Sequence, residues 1–127
     1  MVAVPQGHST LVLNRDHADR RVVLGPQYDV RQSTVSPDGK WVVTCSWGTD
    51  SRTKTVRIWD ADTGSAVHDL AQDGYASAKF SPNGLWLMTK TSVGSRQWEV
   101  GTWREVRRFE VGNCAFSQDS RLLAIND

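Results

Sequence analysis

A chain of 127 residues with 15 basic and 14 acidic side chains carries a formal charge of +1, so it has no long-range field to draw in a polyanion or an anionic membrane surface. Nucleic acid and membrane are therefore left out of the expected partners, and no apolar run approaches the ~18 residues a spanning helix needs. Met1-Val2-Ala3-Val4-Pro5 lacks the basic start and long apolar stretch of a secretory signal, which makes the cytoplasm the expected compartment.

In chain order, Thr10-Leu11-Val12-Leu13-Asn14 and Arg20-Arg21-Val22-Val23-Leu24 are rich in β-branched and bulky apolar residues and predict two strands. Val35-Ser36-Pro37-Asp38-Gly39-Lys40-Trp41 predicts a hairpin, because Pro presets φ and Gly accepts a positive one. Trp41 to Ser46 is the strand that leaves it. A polar insertion, Trp47-Gly48-Thr49-Asp50-Ser51-Arg52-Thr53-Lys54, leads to a third strand in Thr55-Val56-Arg57-Ile58-Trp59-Asp60. Asp62-Thr63-Gly64 turns the chain into a fourth strand, Ala66 to Leu70.

The same order then repeats. Phe80-Ser81-Pro82-Asn83-Gly84-Leu85-Trp86 is a second hairpin, Trp86 to Thr91 a second strand, and Ser95-Arg96-Gln97-Trp98-Glu99 a third. Val100-Gly101-Thr102 turns the chain into a fourth strand, Glu105 to Phe109. Phe116-Ser117-Gln118-Asp119-Ser120-Arg121-Leu122 opens another round between strands at Cys114 to Ser117 and Leu122 to Ile125. The serines of the three hairpins lie 45 and 36 residues apart, and a period near 40 is that of a four-stranded propeller blade.

Val56-Arg57-Ile58-Trp59-Asp60, with Ser36-Pro37-Asp38-Gly39 before it and Thr63-Gly64 after it, resembles the signature of the WD40 repeat family, its bacterial multi-repeat members in particular. Glu99 stands where the second copy should have aspartate, Gln118 and Ser120 stand where the third should have Pro and Gly, and Gly25 is followed by Pro26 where a Gly-His pair is usual. The histidine and aspartate cluster of many eukaryotic members is therefore not carried over. The resemblance implies an all-β fold of β-propeller blades. Residues 1–27 would end one blade, 28–71 and 72–111 form two full blades, and 112–127 begin a further one. Two full and two half-blades do not close alone, since propellers need about 4 to 8. Either further blades lie elsewhere in a longer protein, or the halves of two chains complete one another in a homo-dimer with a six-bladed ring.

Chemistry is not legible. His8, His17 and His68 lie on separate segments without metal-ligand spacing, and Asp16-His17-Ala18-Asp19 reads as the turn between two strands. Cys45 and Cys114 suit two packed thiols, with a single bridge between them left open. Asp38, Asp60, Asp62 and Asp119 fall in turns, where the side chain caps the local backbone. The segment from Arg96 to Arg108 interleaves aromatics with arginines. It reads as a hairpin with Trp98 in the core, Trp103 at the blade edge, and arginines guarding the outermost strand against edge pairing.

No catalytic, cofactor-binding or metal-ligating residue is assigned, and an enzyme is not expected. The expected function is a protein–protein interaction scaffold binding a protein or peptide, with the loop from Trp47 to Lys54 as its most distinctive surface. The alternative is a regulatory segment of a larger enzyme, such as the bacterial protein kinases to which repeats of this type are sometimes attached.

Overall fold

The computed structural model describes residues 2–5, 9–13, 21–27, 30–47, 56–70, 77–91, 94–110 and 113–126. Among them the chain forms strands and no helix. The first sheet holds β1 (Val2–Pro5), β2 (Thr10–Leu13) and β3 (Arg21–Leu24). The second holds β4 (Val30–Val35), β5 (Trp41–Ser46), β6 (Val56–Asp60) and β7 (Ala66–Leu70). The third holds β8 (Ser77–Phe80), β9 (Trp86–Thr91), β10 (Gly94–Glu99) and β11 (Glu105–Phe109), and the fourth holds β12 (Asn113–Phe116) and β13 (Leu123–Asn126). Each sheet is antiparallel and its strands follow chain order from one edge to the other, which is the layout of propeller blades.

The expected strands are present to within a residue or so at each end. One strand was not expected. β1 pairs with β2 in the register Val2↔Leu13 to Pro5↔Thr10, so the first sheet has three strands rather than two. Its sequence, Val-Ala-Val-Pro, has β-forming residues but ends in a proline. A proline is tolerated on an edge strand such as this one, where it faces no further ladder.

The core lies between sheets and not within one. In the second sheet, Val42 pairs with Trp59 and Val43 with Ile58. Because side chains alternate across a strand, these two pairs face opposite ways. Val42 and Trp59 join Ala61 against Val12 and Leu24 of the first sheet. Val43 and Ile58 join Cys45, Val56 and Leu70 against Ala78, Leu87, Trp98 and Trp103 of the third sheet. β5 is therefore buried on both faces, which is why Trp-Val-Val-Thr-Cys-Ser shows no polar alternation. β7, at the outer edge, is exposed until Leu70.

The register slips by one residue between Ile58 and Trp59 and, at the matching place, between Gln97 and Trp98. A bulge of this kind re-aims the side chain beside it, and in both full blades that side chain is the buried tryptophan.

Candidate binding surface

Each repeat is built on the same turn. In the first, the Ser36 amide donates to the Trp41 carbonyl (2.9 Å) and the Trp41 amide donates to Ser36 Oγ (2.9 Å), while Ser36 Oγ donates to Asp38 Oδ1 (2.6 Å). Ser81 with Asn83, and Ser117 with Asp119, repeat the arrangement at 2.7 and 2.6 Å. Gly39 and Gly84 hold φ of 74° and 76°. In the third copy Ser120 takes the same left-handed backbone at 61°, so the turn survives the loss of both Pro and Gly.

The carboxylates are held as turn caps. The Ser36 hydroxyl and the Lys40 amide lower the ionisation of Asp38 below its ordinary value. The Thr63 and Asp62 amides do the same for Asp60, and the Ser117 hydroxyl and Arg121 amide for Asp119. Asp62, also expected to cap, enters the turn through its backbone, donating to Asp60 Oδ1 at 2.9 Å.

The tryptophans carry the seams between blades. Trp59 Nε1 donates to Thr44 Oγ1 (2.8 Å), Thr44 Oγ1 donates to Gln27 Oε1, and Gln27 Nε2 donates to Ser46 Oγ (2.7 Å), all in the buried interior. In the next blade Trp98 Nε1 donates to Thr89 Oγ1 at 2.9 Å, so Trp98 is in the core as expected. Trp103 is not at the blade edge: it is buried between the two blades and meets Trp41 edge to face. An edge position was expected because nothing in the sequence after Gly101 announces the left-handed backbone at Trp103 (φ 57°).

Sequence reasoning also missed three polar links. Gln27 supplies a buried partner to both Thr44 and Ser46; its only signal is its place just before the strand. The Gln32 amide forms a two-point rung with the backbone of Ala78, 2.8 Å each way, tying β4 to β8. The Asn83 amide donates to Ser120 Oγ (2.9 Å), tying one repeat turn to the next.

His8 and His17, with the expected turn around His17, lie outside the described residues, as does most of the insertion after Trp47. His68 lies on the exposed part of β7, opposite Ile58 in the ladder. Cys45 and Cys114 are both free thiols, which closes the alternative of a bridge between them. Burial pushes Cys45 up to about 12. The basic stretch is internally paired in part: Arg108 Nε lies 2.8 Å from Glu105 Oε1 and Arg104 lies 3.6 Å from Glu99.

Several large apolar side chains stand exposed among the polar ones. Trp47 is 41% exposed where β5 leaves its sheet, and Leu85, Leu122, Val23 and Val67 are more exposed still. A groove of about 320 Å³ runs between the third and fourth sheets, lined among others by Trp86, Phe109, Phe116 and Leu122.

Residues 19–60 match the family described as "WD domain, G-beta repeat". The chain carries a WD40-type repeat over that stretch. A curated relative, the yeast (Saccharomyces cerevisiae) U3 small nucleolar RNA-associated protein 21, is 41% identical over 61 residues, which are 47% of this chain and 6% of that protein. Among solved structures, Kuenenia stuttgartiensis hydrazine synthase superposes with a TM-score of 0.72 at 17% identity over 91% of this chain and 35% of that one; at that identity the likeness is one of fold. The chain thus spans a small part of each of these proteins. WD40 repeats generally mediate protein–protein contacts.

Proposed function

We propose that this chain is a non-catalytic scaffold that binds a protein or peptide partner at the end of the blades where β5 leaves the second sheet. The observation that carries the reading is Trp47. It is an exposed indole at the rim of a rigid sheet, at the start of the longest connection within either full blade: residues 47–55, against residues 92 and 93 at the matching place. Aromatic anchors on rigid frames dominate the energetics of protein interfaces. Nucleic acid is not among the proposed partners, since the net charge is +1 and Arg104 and Arg108 face Glu99 and Glu105.

The test is photo-crosslinking from a reactive side chain placed at position 47, with position 63, on an exposed turn, as the control. A protein adduct formed at 47 and absent at 63 is expected. Adducts equal at the two positions, or none at 47, would count against the assignment.

A further inference from the structure

Charge in this fold is sorted by strand. Asp60, Asp69, Glu99 and Glu105 lie on the third or fourth strand of their sheets. The first and second strands β4, β5, β8, β9 and β12 contain no acidic residue, yet they carry Arg31, Lys79 and Lys90. Two of these cations meet. In the β8–β9 ladder Ser77 stands opposite Lys90 and Lys79 opposite Met88, so Lys79 and Lys90 are diagonal neighbours on one face, a spacing of about 7–8 Å in a pleated pair.

The repeat makes the pair informative. Val42 pairs with Val35 and Leu87 with Phe80, which puts Lys90 at the position of Cys45 and Lys79 at that of Thr34. Cys45 is fully buried in the core between the second and third sheets. One seam further on, the same position holds a half-buried ammonium. Taking that charge partly out of water is costly without negative partners, and a second ammonium on the same face adds repulsion. A local rule kept in one repeat and broken in the next points to function.

The pair also faces a cavity. It has a volume of about 250 Å³ and is bounded by three sheets: Gln32 of the second, Ser77, Lys79, Met88 and Lys90 of the third, and Cys114 of the fourth. No carboxylate is among these described lining residues. The Gln32 amide is engaged in its two-point rung with Ala78. Lys79 Nζ donates to the Cys114 carbonyl, and an ammonium has three N–H groups to give. Ser77 adds a hydroxyl between the two lysines in the ladder.

We infer that this cavity is a binding site for a phosphate group, free or as a monoester, held between Lys79 and Lys90 with the Ser77 hydroxyl donating to it. A phosphate monoester carries nearly two negative charges at neutral pH and three acceptor oxygens, which answers both ammoniums and the hydroxyl together. A single carboxylate answers one charge of the two. The attraction acts at contact distance, so it needs no long-range field from a chain of net charge +1. The site draws nothing from Trp47 and stands or falls apart from the scaffold reading.

Cys114 supplies the test. It holds the position of Ala78, which packs against the preceding sheet, and it borders the cavity. A bound phosphate should therefore shield its thiol from iodoacetamide, a neutral reagent, at constant ionic strength. The labelling rate should fall saturably with inorganic phosphate, by about tenfold at about ten times the dissociation constant. Acetate at the same ionic strength should shield little. Lys79→Gln and Lys90→Gln should each weaken the protection and together remove it, while Lys90→Arg should keep it; far-UV circular dichroism reads whether each variant is folded. A short blocked peptide carrying phosphoserine separates the sources: protection by it as well as by phosphate assigns a monoester site, and protection by phosphate alone assigns a site for the free ion. A labelling rate indifferent to phosphate, or slowed equally by acetate, overturns the inference on the unmodified chain without any variant. So does protection that persists in a folded Lys79→Gln, Lys90→Gln double variant.

Discussion

Trp103 and Trp41 meet with ring centroids 5.4 Å apart and planes at 87°, the edge-to-face geometry that the ring quadrupoles favour. Trp103 reaches this position from a left-handed backbone (φ 57°), at the turn position where the preceding blade has Gly64 (φ 75°); the amides of both donate to the carbonyl four residues earlier. A Cβ on Gly64 would lie 2.9 Å from Val22 Cγ1, so the first seam is filled from the other side and the second by the indole. Replacing Trp103 removes a buried ring, a loss of about 3–5 kcal/mol. The backbone adds a distinguishing mark. Trp103→Ala keeps a Cβ in the left-handed region, whereas Trp103→Gly does not, so the glycine variant is expected to be the more stable of the two by about 1 kcal/mol. Urea titration of both variants checks the order.

The hydroxyl of Thr44 links Trp59 to Gln27 in the interior. Thr44→Val keeps the shape and leaves the indole N–H and the Gln27 carbonyl without it, which should destabilise the fold by about 1–3 kcal/mol. Thr44→Ser, which keeps the hydroxyl, should lose less. Combining Thr44→Val with Trp59→Phe should cost less than the sum of the two changes, because the second removes the donor that the first strands. A double-mutant cycle measured by denaturation tests the coupling.

Asp38, Asp60 and Asp119 all titrate below their ordinary value of 3.8 because hydroxyls and amides donate to their charged forms. A carboxylate with a lowered folded pKa contributes stability above its unfolded pKa and loses it as pH falls through the folded one. Stability should therefore decline on acidification below about pH 4. The second repeat uses Asn83 in the same turn, so it adds nothing to this slope. Asp38→Asn should flatten the acid dependence and Asn83→Asp should steepen it, as read from urea midpoints at neutral pH and near pH 3.

The two thiols should react in sequence. Cys45 is buried, with its ionisation pushed up to about 12, while Cys114 is half-buried at the margin of the fourth sheet. Since the thiolate is the reactive form, a thiol reagent at neutral pH should label Cys114 first and reach Cys45 only on unfolding. Labelling of the native protein followed by mass spectrometry reads the order, and simultaneous labelling would contradict the packing around Val43 and Val56.

Much of the fold was legible because its determinants are local. Ser36, Ser81 and Ser117 mark the repeat, and the residues around them form the turn their types predict, even where Ser120 stands for glycine. The strands that follow were legible from their β-branched and aromatic content. What was not legible depends on contacts between sheets. Trp103 was placed at the edge because nothing in Gly-Thr-Trp-Arg announces a left-handed tryptophan. Gln27 and Gln32 look like ordinary polar residues until the neighbouring blade brings Ser46 and Ala78 to them. β1 was missed because four residues ending in proline carry too little pattern to stand out from a chain terminus. The proposed binding surface is marked in the sequence only by the insertion after Trp47, since an interface is defined by a partner that the sequence does not contain.

The central claim is that the two full blades form one rigid frame through the core they share, on which the exposed side chains act. Amide hydrogen exchange tests this most directly, because amides that open only together share one free energy of opening. The account predicts that the amides of Val43 and Ile58 in one blade and of Leu87 and Trp98 in the next are the slowest in the chain and exchange with the same opening energy, while those of β7 exchange sooner. Exchange of the second full blade well ahead of the first would contradict it, since the blades would then be separate units with no common core.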